Sequence, residues 1–209
     1  MPIRVVTLSH ATGAGGDTIG HTVAKGLGFR YMDEEIIELA AQREGVETAV
    51  VADEERRKSF FERLLAGIAD PPMGDASVGM IMPEAILTRS ETLRADIVQA
   101  IHDVAAQGRV VIVSHAASIP LAERADVLRV WITASPATRA ERVARDRKMA
   151  AGDAVRFVKD SDAGRADYFQ RFYRIDHELP THYDLVINTD KLTAEEAVDL
   201  VVAAVGRHR

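Results

Sequence analysis

Val110-Val111-Ile112-Val113 is apolar and β-branched at every position, and no other stretch constrains the fold as tightly. A strand with one wet face alternates apolar and polar side chains. One that is apolar on both faces must be covered on both, as in a parallel sheet held between layers of helix. Comparable runs occur at Ile3 to Ser9, within Asp126 to Thr133 (Val127-Leu128-Arg129-Val130-Trp131-Ile132) and at Asp184 to Asn188. Between them lie segments with helical spacing: Asp17 to Leu27, about Glu91 to Gln107 (Leu93, Ile97, Val98, Ile101, Val104), Pro136 to Ala150, Asp153 to Tyr173 and Thr193 to Val205. This alternation predicts one three-layer α/β domain with a central parallel sheet, and places Trp131 in the core.

Gly26 and Gly28 are expected to close the first helix. A short extended piece, Phe29 to Met32, precedes Asp33, which reads as the N-cap of a helix running to about Gln42. The stretch from Glu44 to Ser90 interrupts the pattern. It holds a charged helix candidate around Asp53 to Ile68, then Asp70-Pro71-Pro72-Met73-Gly74-Asp75 and Gly79-Met80-Ile81-Met82-Pro83, which read as a flexible loop. Such an insert is suited to act as a mobile lid.

Composition excludes several function classes. With no cysteine, disulfides, thiolate catalysis and cysteine metal sites are ruled out. No apolar stretch approaches the roughly 20 residues of a membrane span. The N-terminus enters a strand without a basic region and apolar segment ahead of it, so a soluble, cytoplasmic protein is expected. A net charge of −6 argues against a general nucleic-acid binder. Any phosphate site must therefore be local. Basic residues do gather from Arg139 to Arg174, and the simplest reading of that cluster is a solvated helix face. His177, His182 and His208 have no metal-ligand spacing with a carboxylate.

The segment joining the first strand to the first helix is Ser9-His10-Ala11-Thr12-Gly13-Ala14-Gly15-Gly16-Asp17-Thr18. Glycines between a strand and a helix let successive backbone N–H groups converge on an anion, and the helix N-terminus adds partial positive charge. The segment fits G-x-x-x-x-G-K-[ST] poorly. With Gly15 as the second glycine, Gly16 takes the lysine position and Asp17 the hydroxyl position. Shifted by one, Gly16 and Thr18 fit but Asp17 stands where the lysine belongs. Position favours a binding loop, because ligands of open parallel sheets sit at strand C-termini. Ser114-His115 and Thr133-Ala134-Ser135 follow later strands and are expected to open onto the same cleft.

Taken in order, Ser9 to Gly16, Tyr31-Met32-Asp33-Glu34-Glu35-Ile36-Ile37, Val111 to Ala117, Leu128 to Ser135 and Tyr183 to Thr189 resemble the cytidylate kinase-like family, a branch of the P-loop nucleoside-monophosphate kinases. The resemblance spans nearly the whole chain except about Glu44 to Ser90. It implies a P-loop kinase fold with a helical lid, an ATP-dependent phosphotransferase, and CMP or a related small molecule as phosphate acceptor. It implies that His10, Gly13, Ala14, Gly15, Gly16, Asp17 and Thr18 cradle the ATP phosphates, with Thr18 helping to hold Mg²⁺. Arg139 and Arg142 would neutralise charge on the transferring group. Asp162 and Arg165 match a D-x-x-R pair that reads the acceptor, and Asp33 is expected on the same side.

Three positions depart from the family pattern: Gly16 for the loop lysine, which relatives in this branch also tend to lack, His10 for an arginine in the loop, and His115 for an arginine after the Val110 to Val113 strand. His10 and His115 are then expected to act as cations, His115 from across the cleft. A nucleotide- or phosphate-binding protein with little turnover is the alternative that these departures favour, and a kinase for a non-nucleotide acceptor is a third. Oligomeric state is left open by the sequence.

Overall fold

The computed structural model describes residues 1–33, 83–113 and 116–208. The strands are β1 (Val5–His10), β2 (Arg30–Met32), β3 (Val110–Val113), β4 (Val127–Thr133) and β5 (Leu185–Asn188). The helices are α1 (Gly16–Leu27), α2 (Pro83–Gln107), α3 (Pro136–Arg147), α4 (Ala151–Tyr173) and α5 (Ala194–Arg207). All strand pairings are parallel, and the sheet runs in the order β2-β3-β1-β4-β5. This is the three-layer P-loop kinase architecture expected from the sequence.

Two compact units divide the chain: Met1–Asp33 with His102–Arg209, and Glu34–Ile101. The sheet and every element after α2 belong to the first. In the second, the described residues are 83–101 of α2, where Ile97, Ala100 and Ile101 are buried on one stripe of the helix. The expected helices at 33 to 42 and 53 to 68, and the loop ahead of Pro83, lie outside the described residues, as do Ser114 and His115. Among the described residues, no helix is long and apolar enough to cross a membrane.

Residue alternation decides what each sheet face covers. Val6 and Leu8 of β1, Val111 and Val113 of β3, and Leu128, Val130 and Ile132 of β4 share a face with Ile19 and Val23 of α1 and Val198 and Val201 of α5. Burying a side chain such as Leu8 or Ile19 contributes about 1.5–3 kcal/mol, so this layer anchors the loop between β1 and α1 at both ends. α1 closes where Gly28 turns left-handed (φ 63°), and its N–H caps the carbonyls of Ala24 and Lys25. Gly26 is an ordinary helical residue inside α1, not part of its cap.

Two helix boundaries and the burial of one side chain differ from the sequence reading. α2 starts at Pro83, eight residues before Glu91, because proline is suited to a first helical turn, where its missing N–H has no partner to lose. α3 stops at Arg147, where Lys148 turns left-handed (φ 51°). Trp131 is only partly buried. It stacks on Tyr183 with ring centroids 5.5 Å apart, and its indole Nε1 is buried without an acceptor among the described residues.

Candidate phosphate-binding site

β1 delivers the loop to the C-terminal end of the sheet, between its neighbours β3 and β4. Gly13 (φ 80°) and Gly15 (φ 86°) take the left-handed turns that point successive peptides into one concavity. Gly13 is also sterically required. A Cβ there would lie 2.7 Å from the Arg139 carbonyl oxygen.

The loop carbonyls are all held from behind. His10 O accepts from Arg165 Nη1 (3.3 Å), Ala11 O from the Ala14 N–H (3.0 Å), Thr12 O from Arg139 Nη1 (3.3 Å), Gly13 O from Arg142 Nη1 (3.4 Å) and Ala14 O from Thr189 Oγ1 (3.0 Å). The three arginine contacts are long for hydrogen bonds but carry a full charge. With the carbonyls from residue 10 to residue 14 each occupied by a donor, the remaining loop N–H groups are left to a ligand. The first-turn N–H groups of α1 add to them, since no carbonyl within the helix can reach them.

These donors open onto a cavity of about 510 Å³. Its walls are His10, Thr12 to Ile19, Arg142 and Val143, Arg145 to Arg147, and Thr189 with Leu192 to Ala194. The volume falls within the range of small-molecule sites. Among the described residues there is no group of three or more His, Asp or Glu side chains that could hold a metal by itself.

Each expected arginine is already committed. Arg139 is 5% exposed and makes a fork-to-fork pair with Asp162 (2.9 and 2.7 Å), while its Nε donates to Ala134 O. Arg142 grips Thr189 through Oγ1 (2.9 Å) and O (2.6 Å). Arg165 grips Glu178 with Nε and Nη2 (2.7 and 2.6 Å) and also donates to Ser9 Oγ (2.7 Å). The Arg139 to Arg174 cluster is thus not one solvated face. Arg139, Arg142 and Arg165 turn inward, whereas Arg145 and Arg156 are each 73% exposed and pair with neighbouring aspartates.

Asp162 and Arg165 do lie on one side of α4, yet they do not bond each other. Together with Ser161, whose hydroxyl is 2.6 Å from Thr12 Oγ1, they fasten α4 to the loop. Burial opposes the Arg165 charge, but the Glu178 carboxylate outweighs it and holds the guanidinium above arginine's ordinary pKa. Tyr183 donates its phenol proton to Glu178. Burial, the Glu178 charge and that bond push the Tyr183 pKa up to about 12, so it stays a donor across the working pH range.

His10 and Gly16 depart from the family pattern jointly. A Cβ on Gly16 would lie 2.2 Å from the His10 ring, so the imidazole fills the space a side chain at 16 would need. His10 Nε2 is 3.0 Å from Asp17 Oδ1, without the alignment of a hydrogen bond. Thr18 lines the cavity, and Asp33 stands just beyond β2, two strands from β1. His115 lies outside the described residues.

Sequence reasoning missed Thr189, Glu178, Tyr183 and Ser161. Thr189 carried a signal, as the first residue past the C-terminal end of a strand, where ligand-facing groups of such sheets gather. Nothing in the sequence marks Glu178.

Comparison with known proteins agrees with this architecture. The cytidylate kinase-like family matches residues 5–191. A cytidylate kinase from Methanocorpusculum labreanum is 23% identical over 201 residues, which cover 96% of this chain and 95% of that one. Among solved structures, an uncharacterized protein from Eubacterium ventriosum superposes with a TM-score of 0.66 at 14% identity (97% of this chain, 98% of that one). A shikimate kinase from Bacteroides thetaiotaomicron superposes with a TM-score of 0.52 at 15% identity and the same coverage. At these identities the solved structures speak to the fold alone.

Proposed function

We propose that this chain, which belongs to the cytidylate kinase-like family, is a kinase-type phosphotransferase that moves the γ-phosphoryl group of ATP to CMP or a related small acceptor. The observation that carries the reading is the run of held carbonyls from His10 to Ala14, which occupies the loop's backbone acceptors in front of a cavity large enough for a nucleotide. We read the chain as one kinase-like domain, with residues 44–90 as its insert.

ATP supplies the transferable group, and Mg²⁺ supplies charge neutralisation on its phosphates. The residues present fit such a ligand, because a nest of N–H groups is the chemistry that a polyphosphate needs. In this reading Gly13 to Asp17 hold the phosphates, and the Thr18 hydroxyl faces the metal's water shell. Phosphoryl transfer needs positioning and charge stabilisation more than covalent chemistry. Arg142 and His115 supply positive charge. Arg139 and Arg165 act by fixing the loop carbonyls, and exchange their carboxylate partners for substrate as the acceptor engages. Asp33, Asp162 and Arg165 form the acceptor side.

A second reading, a nucleotide-binding protein with little turnover, is favoured by the His10 ring in the Gly16 space and by the engagement of the Arg139, Arg142 and Arg165 guanidinium groups within the protein. The two are separated by thermal shift with ATP and Mg²⁺, followed by ADP formation across a panel of nucleoside monophosphates. A raised melting temperature and ADP formation with CMP are expected. ATP binding without ADP formation for any acceptor leaves the binding-only reading, and no ATP binding removes both. Gly16→Lys by itself is expected to lose stability against the His10 ring. If His10→Ala/Gly16→Lys forms ADP faster than the parent, the missing loop cation limits turnover.

A further inference from the structure

The N-terminal end of the sheet, opposite the loop, carries a second concentration of cations. Arg4 precedes β1, Arg30 opens β2, Arg109 precedes β3 and Arg124 lies just before β4. Here α1 and α2 end, and the chain turns through left-handed Gly28, Gly108 (φ 67°) and Arg109 (φ 50°). These turns frame an open hollow of about 450 Å³ lined by Gly28, Arg30, Gln107, Gly108 and Arg109. The Arg4 guanidinium lies across Gly108, where a Cβ would be 2.7 Å from Nη2 and 2.9 Å from Nε.

The plainest role for these arginines is to neutralise helix C-termini, and part of the charge does that. Arg109 Nη2 donates to Gly28 O (2.9 Å), and Arg124 Nη2 donates to Ala105 O (3.3 Å). Arg124 also makes a bidentate pair with Asp126 (3.0 and 2.8 Å). Each helix end contributes about half a negative charge. With Asp126 that makes about −2 against four guanidinium groups, so roughly two positive charges are left over. They reside on Arg4 and Arg30, both exposed, whose side chains make no hydrogen bond or ion pair among the described residues. In a chain of net charge −6, this local excess is not a reflection of composition.

We propose that this hollow is a second anion site, taking a small multivalent phosphate on the Arg4 and Arg30 guanidinium groups with Arg109 at its rim. Guanidinium forks match phosphate oxygens bidentately. The side chains of the lining, Arg30, Gln107 and Arg109, all end in hydrogen-bond donors. A concave site favours a compact anion over a polymer, and the overall negative charge opposes nucleic acid. The site lies away from the loop and does not depend on what the loop binds.

The test is calorimetric titration of the full chain with sodium tripolyphosphate at fixed ionic strength. The parent is expected to bind two equivalents, one at each end of the sheet, and Arg4→Gln/Arg30→Gln one, with the lost site weakened about tenfold or more. If the loop binds no phosphate, the same variant goes from one equivalent to none, so failure at the loop and failure here read differently. Arg156→Gln/Lys159→Gln makes the same charge change on α4 and is expected to leave the isotherm unchanged. Circular dichroism checks that both variants fold. An unchanged isotherm for Arg4→Gln/Arg30→Gln overturns the site, and so does equal weakening in the α4 variant. Binding of a duplex oligonucleotide that Arg4 and Arg30 support, with no binding of tripolyphosphate, overturns it in favour of a nucleic-acid contact.

Discussion

The arginines at the two ends of the sheet are used in opposite ways. At the C-terminal end Arg139, Arg142 and Arg165 are bound to Asp162, Thr189 and Glu178, and reach loop carbonyls with what remains. At the N-terminal end Arg124 is similarly bound to Asp126, which also feels the Arg4 charge, but Arg4 and Arg30 make no side-chain hydrogen bond or ion pair among the described residues. A cation can therefore serve an anion site by two routes. It can offer its own charge, or it can restrain carbonyls so that backbone N–H groups face the ligand.

The sharpest way to break that comparison is Gly13→Ala. A left-handed φ of 80° and a backbone oxygen 2.7 Å from the new Cβ act together, so a loss of about 2–4 kcal/mol is expected from the denaturant midpoint, along with loss of ATP binding at the loop. Tripolyphosphate binding at the Arg4 end is expected to survive in the folded fraction.

Arg139→Met comes next. It frees the carbonyls of Thr12 and Ala134 and leaves Asp162 without its cation, and because Asp162 is 43% exposed the cost is discounted to about 2 kcal/mol. A double-mutant cycle with Asp162→Leu is expected to recover part of the stability but not the nucleotide affinity. Recovery of both would mean that Arg139 serves only its ion pair.

Asp126→Asn is expected to cost about 1 kcal/mol at neutral pH. The Arg124 hydrogen bond, against the opposing cost of burial, holds the Asp126 pKa below the ordinary aspartate value of 3.8. Its folded pKa is depressed, so its stabilisation is fully present above the unfolded-state pKa and disappears as pH falls through the lower folded value. The parent should therefore lose stability on acidification below about pH 4 more steeply than the variant. Equal slopes would remove this pair from the acid limb. Smallest of all, Arg156→Ala on the outer face of α4 should leave the midpoint where it is, since its partner Asp153 is also solvent-exposed.

Much of the fold was legible because it rests on local patterns. Val110 to Val113 could only be a strand covered on both faces, and the helical spacing from Thr193 foretold α5, whose start the structure closes with a Thr193–Glu196 capping box. The loop was legible as glycines at a strand end, though its fit to the lysine-bearing motif was poor. Asp162 and Arg165 stand out in sequence as a D-x-x-R pair one helical turn apart, but their partners were not readable. Arg139 is 23 residues from Asp162, and Glu178 lies beyond the end of α4, so only folding brings each pair together. The Gly16 departure had a local cause that sequence could not express: the His10 ring occupies its space.

The sequence by itself determined the order of strands and helices and the position of a glycine-rich turn at a strand's C-terminal end. Hydrophobic periodicity and turn chemistry are properties of neighbours along the chain. Only the tertiary structure decided which arginines are braces and which are unclaimed. A guanidinium's role depends on the acceptors within about 3 Å of it, and those come from residues distant in sequence that the parallel sheet and the packing of α3 and α4 bring into reach.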